Sequence, residues 1–154
     1  MDLTHDDVAG IVDLFGALSE SDLRRGIEEL AFRQGEKPDS DAVRDLIDGA
    51  KADFSLAEIR IDDERVLASG PTAFSTLPDG AEDLPHILDV ERRSPSPKAL
   101  ETAVRKRLAT EAATISEPER AAELVDVTYD AEAWAGIDLK DVRERLESIA
   151  ADPG

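Results

Sequence analysis

The chain has 154 residues, with 36 Asp and Glu against 18 Lys and Arg, a formal net charge of −18 and no cysteine. That length builds a self-supporting core, and the missing thiols exclude disulfides and thiolate metal sites. The acid excess disfavours phosphate binding over most of the surface, and no apolar run approaches the roughly 20 residues of a membrane span.

Taken in order, residues 4–18 read as a first helix. Thr4 stands at the cap with Asp7 three residues on, and Val8, Ile11, Val12, Phe15 and Leu18 form one apolar stripe. A second helix covers 19–34. Ser19 and Asp22 repeat the capping spacing, Leu23, Ile27, Leu30 and Ala31 are its stripe, and Gly35 is placed to end it. After the turn GEKPD, Ser40 or Asp39 caps a third helix with Val43, Leu46, Ile47, Ala50 and Phe54 on one side. LAEIRI at 56–61 alternates like a half-buried strand, Asp62, Asp63 and Glu64 form a turn, and RVLAS at 65–69 returns.

Residues 71–97 hold five of the eight prolines and read as an irregular connector, within which LPHILDV packs as a strand or a lid. Ser96-Pro97 starts a fourth helix running to about Ile115, along Leu100, Val104, Leu108, Ala112 and Ile115. Pro118 restarts a short helix, VDVTY at 125–129 reads as a third strand, and Asp130 caps a turn around Trp134, an anchor for the last helices. Asp138 caps a final helix with Leu139, Val142, Leu146 and Ile149 on one stripe, the spacing of a two-helix seam.

The expected class is α+β, mostly α. A helical domain with a hairpin occupies 1–74, a connector 75–97, and carboxy-terminal helices 98–151 that either complete the core or form a homodimer seam. Three helices leading into a hairpin resemble the winged helix-turn-helix order. That resemblance implies a recognition role for the third helix, whose outward residues are Asp41, Arg44, Asp45, Asp48 and Lys51. Three acids against two bases repel phosphate, so groove reading there is not expected. The bases of the chain are 13 Arg and only 5 Lys, set among many alanines and an excess of acids. This composition resembles the small acidic haloarchaeal proteins of unknown function. The resemblance implies a hydrated anionic surface at home in high salt. The opening MDLTHDD is acidic and unlike a signal peptide, so the expected compartment is the cytoplasm.

Motifs that carry catalysis are missing: the chain has no HExxH, GxGxxG, GxxxxGK[ST], GxSxG or calcium-loop pattern. His5 lies beside Asp6 and Asp7, and His86 lies between Asp83 and Asp89, but Pro85 argues against a helix there and no second histidine is near. No enzyme, metal or cofactor is expected. The exception to the acidity is 92–107, RRSPSPKALETAVRKR. It holds Arg92, Arg93, Lys98, Arg105, Lys106 and Arg107 against Glu101 alone, a local charge of +5 that leaves −23 for the rest. Two roles fit: a patch for an anionic partner, or bases that neutralise the acidic surface of the chain itself. The expected function is an interaction module, an adaptor or accessory subunit with a protein partner and no membrane. The alternative is a DNA-associated transcription regulator with a degenerate winged helix.

Overall fold

The computed structural model describes residues 3–151. Its elements are α1 (His5–Phe15), α2 (Glu20–Arg33), α3 (Ser40–Ala52), β1 (Leu56–Ile61), β2 (Glu64–Ser69), a 3-10 turn (Ala81–Asp83), α4 (Leu84–Leu88), α5 (Pro97–Thr114), α6 (Pro118–Ala135) and α7 (Lys140–Ala150). The chain is α+β and mostly α: three helices, an antiparallel hairpin, then helices. It divides into two compact units between Ser96 and Pro97.

The first unit is built around α1. The Thr4 hydroxyl accepts from the Asp7 N–H at 3.1 Å and the Asp7 carboxylate accepts from the Thr4 N–H at 3.0 Å, the reciprocal cap that the spacing predicts. Val8, Ala9, Gly10, Ile11 and Val12 are buried in succession, so the middle of α1 is enclosed and not only packed along a stripe, while Asp13 stays exposed. It stops at Gly16, at φ 78°, two residues short of the predicted end. Leu18 has left the helix and pairs with Leu67 of β2 through two backbone bonds of 2.9 and 2.7 Å.

Ser19 caps α2 through the Asp22 N–H, and Asp39 caps α3 through the Asp41 N–H. Val43, Ile47 and Ala50 face the core from α3, whereas Phe54 lies beyond the helix at φ 66° and is buried. That turn is held from outside: Gly70 donates to the Ser55 carbonyl, and Thr72 donates to the carbonyls of Phe54 and Asp53. The hairpin pairs Leu56 with Ser69 through Ile61 with Glu64, leaving the two-residue loop Asp62-Asp63. Both aspartates have positive φ, the geometry of a type I′ turn, which short polar side chains tolerate.

Residues 71–96 belong to the first unit. The stretch 72–76 straps α1. Thr76 N–H donates to the Asp6 carbonyl at 3.1 Å, Phe74 N–H to the Asp6 carboxylate at 3.0 Å, and the Thr76 hydroxyl to Asp7 at 2.5 Å. The strap lies so close to Gly10 that a Cβ there would sit 1.8 Å from the Thr76 oxygen. LPHILDV, expected as a strand or lid, instead forms the short helix α4. Pro85 stands in its first turn, where a proline has no hydrogen bond to forfeit, and Leu84 and Leu88 drop into the core. The chain returns along α1, where Arg93 N–H donates to the Phe15 carbonyl at 2.7 Å.

In the second unit α5 begins at Pro97, as predicted. VDVTY is not a strand and Asp130 caps no turn: both lie inside the 18-residue α6. Val127 and Thr128 favour strands by themselves, but Leu124, Val127, Thr128 and Ala131 bury at helical spacing on one face. Gly136 ends α6 in the left-handed conformation. α7 follows with the Asp138 carboxylate accepting from the Lys140 N–H, and its Leu146 is fully buried.

Candidate interaction site

The six predicted site residues divide. Arg92 and Arg93 lie in the first unit and are engaged there. Arg92 Nη1 donates to the carbonyls of Asp13 and Leu14 at 3.3 and 3.1 Å, satisfying acceptors left over at the end of α1. Arg93 Nη1 stands 2.7 Å from Glu64 Oε1 at the hairpin. These two bases therefore fit the intramolecular role.

The other four lie on α5. Arg107 stands 3.6 Å from Glu111 one turn on, and Glu111 also meets Arg120 of α6 at 3.3 Å. Lys98, Arg105 and Lys106 are exposed, and among the described residues their side chains make no hydrogen bond or ion pair. At 3.6 residues per turn these three fall within about one quadrant of the helix. Val104, Leu108 and Ala112 are buried on the adjoining face. The sequence pattern alone places both sets.

Bases elsewhere are mostly paired with neighbouring carboxylates. On α3, Arg44 lies 3.8 Å from Asp41, and Lys51 reaches Glu20 of α2 at 2.8 Å and Glu58 of β1 at 3.6 Å. The hydrogen bond from Lys51, opposed by burial, holds the Glu20 carboxyl below its ordinary value. Burial pushes the Lys51 ammonium down, but Glu20, Glu58 and Asp48 outweigh it and raise it. Asp41, Asp45 and Asp48 remain exposed, so the outward surface of α3 is anionic.

His5 Nδ1 hydrogen-bonds Asp53, tying the start of α1 to the end of α3. Its Nε2 lies over Gly49 and makes no hydrogen bond among the described residues. His86 is exposed on α4. Among the described residues no three His, Cys, Asp or Glu side chains could hold a metal ion. No helix among them is long and apolar enough to cross a membrane.

Sequence reasoning passed over the exposed apolar side chains Phe32 and Ile87. A signal existed for Phe32, which falls off the stripe of Leu23, Ile27 and Leu30. For Ile87 there was none, because its helix was unexpected.

No curated protein and no solved structure matches the chain. The model of a family of unknown function, DUF7109, matches residues 6–151. The chain is therefore a member of DUF7109.

Proposed function

We propose that the protein is a non-enzymatic interaction module, an adaptor or accessory subunit, that contacts an anionic partner through the outer face of α5. The observation that carries this reading is that Lys98, Arg105 and Lys106 stand exposed and unpaired in a chain with a net charge of −18. Arg25, Arg33, Arg93 and Arg120, by contrast, each pair with a carboxylate of the chain itself. Bases left free in so acidic a chain orient a partner and set its register more than they add raw affinity. The acid excess and the scarcity of lysine support a saline cytoplasm as the setting.

The second reading is a DNA-associated regulator with a winged-helix-like first unit. The order of three helices and a hairpin supports it, as does the register that sets Arg60 opposite Arg65 on the hairpin. Against it stand the acids Asp62, Asp63 and Glu64 at the hairpin end and the paired bases of α3.

The test is the triple variant Lys98→Glu, Arg105→Glu, Lys106→Glu, used as bait beside the parent chain in native lysate in molar KCl. The expected result is loss of a partner that the parent retains. An unchanged set of partners removes α5 as the contact. A shift of duplex DNA at the same salt, abolished by the triple variant, replaces the first reading with the second.

A further inference from the structure

We propose that the groove beside the carboxy-terminal end of α2 receives a cationic amphipathic helix from a partner protein. Phe32 is 73% exposed on α2, Ile87 is 41% exposed on α4, and Pro38 lies with both along one depression of ≈ 370 Å³. Pro38 also lines a second groove of ≈ 630 Å³, floored by Ile27, Ala31, Val43 and Leu46 between α2 and α3. Apolar surface therefore continues from the exposed phenyl ring into the cleft between two helices. Single exposed apolar residues are ordinary, but a continuous patch that runs into a groove marks a binding surface.

The lining decides the kind of occupant. A small-molecule site needs polar groups that converge on the ligand from a buried floor, and this floor is aliphatic. An apolar floor with charges along the rim suits a helix that lays one stripe of side chains into the groove. The rim carries Glu28, Glu29 and Arg25 on one side of Pro38 and Glu36, Asp39 and Lys37 on the other, four carboxylates against two bases. Glu28 and Glu29 make no ion pair among the described residues. Arg25, the base beside them, is already held by Asp22 at 3.0 Å. An anionic rim selects a partner with lysine or arginine flanking its apolar stripe. It repels an anionic membrane surface, and a second copy of this chain brings −18 of like charge. This site lies wholly in the first unit and does not depend on the cationic face of α5.

A phage library of random peptides of about 16 residues, long enough for a marginal helix, is selected on the intact protein. It is counter-selected on Phe32→Asp. The expected winners carry net positive charge and apolar residues at i, i+3 or i+4, and i+7. By fluorescence anisotropy, synthetic winners should bind Phe32→Asp and Ile87→Asp at least about tenfold more weakly, a loss of about 1.4 kcal/mol. They should also bind the double variant Glu28→Lys, Glu29→Lys more weakly at low salt, with less difference at high salt. All four positions are at or near the surface, and circular dichroism verifies that each variant folds. The triple α5 variant should bind as the parent does, so this proposal and the α5 reading fail separately. Four results overturn the proposal: no enrichment, winners without that charge and spacing, affinity indifferent to Phe32→Asp, or self-association in sedimentation equilibrium that Phe32→Asp abolishes.

Discussion

Single residues in this protein matter most where two backbones meet. Gly10 lacks a side chain because the strap of residues 72–76 occupies the space, with the Thr76 oxygen 1.8 Å from where a Cβ would stand. Gly10→Ala therefore forces strap and helix apart. The expected loss is about 1–3 kcal/mol, the usual range for overpacking, read as a lower urea midpoint. The strap bonds to Asp6 and Asp7 should loosen with it, raising hydrogen exchange at Phe74 and Thr76.

The Glu20–Lys51 pair makes a pH prediction. Glu20 has a depressed folded pKa, so its contribution is present above its ordinary value of 4.5 and is lost as pH falls below it. Lys51 has a raised one, so its contribution is present below 10.5 and is lost as pH rises past that value. Glu20→Gln should therefore be less stable than the parent at neutral pH. Its denaturation midpoint should converge with that of the parent as the solution is acidified below 4.5.

At the scale of elements, α6 and α7 are joined by one arginine. Arg143 Nε donates to the Thr128 hydroxyl at 2.9 Å, its Nη2 bonds Glu132, and its guanidinium lies 4.0 Å from the centre of the Tyr129 ring. Glu132 accepts in turn from the Leu139 N–H at 3.0 Å, which fixes the turn between the helices. The Arg143 side chain is only 13% exposed, so removing the charge strands Glu132 in a poorly solvated place. Arg143→Met should lose about 1.5–3 kcal/mol, the range of charged hydrogen bonds. Adding Glu132→Gln should recover part of that loss, since no unpaired charge then remains. A double-mutant cycle in urea measures both values. None of this was visible in the chain read linearly. Arg143 and Glu132 are ordinary charged residues until a helix replaces the predicted strand at 125–129 and sets Thr128 and Glu132 one turn apart.

For the whole molecule, the charge of −18 dominates. Arg120 serves both Glu111 and Glu123, and Lys51 serves both Glu20 and Glu58, so few bases must serve many acids. Self-repulsion among the remaining carboxylates opposes compactness until salt screens it. The thermal midpoint should therefore rise between about 0.1 M and 2 M KCl, and a midpoint unchanged over that range removes the saline setting from the proposed function.

The sequence by itself determined the α+β class, the caps at Thr4 and Ser19, the start of α5 at Pro97, the hairpin with its turn at Asp62 and Asp63, and the exposed bases of α5. These features rest on local rules: capping chemistry, periodicity, and the tolerance of aspartate for positive φ. Tertiary structure decided the rest. It drew residues 71–96 onto α1, turned LPHIL and VDVTY into helices, and spent Arg92 and Arg93 on α1 carbonyls and Glu64. A strap, a buried helix and an ion pair depend on which distant surfaces become neighbours. A proline-rich stretch looks like a linker until its backbone donors find acceptors on α1. The same distinction governs the candidate site. Charge in 92–107 could be counted along the chain, but only the fold separated bases already paired from bases still free.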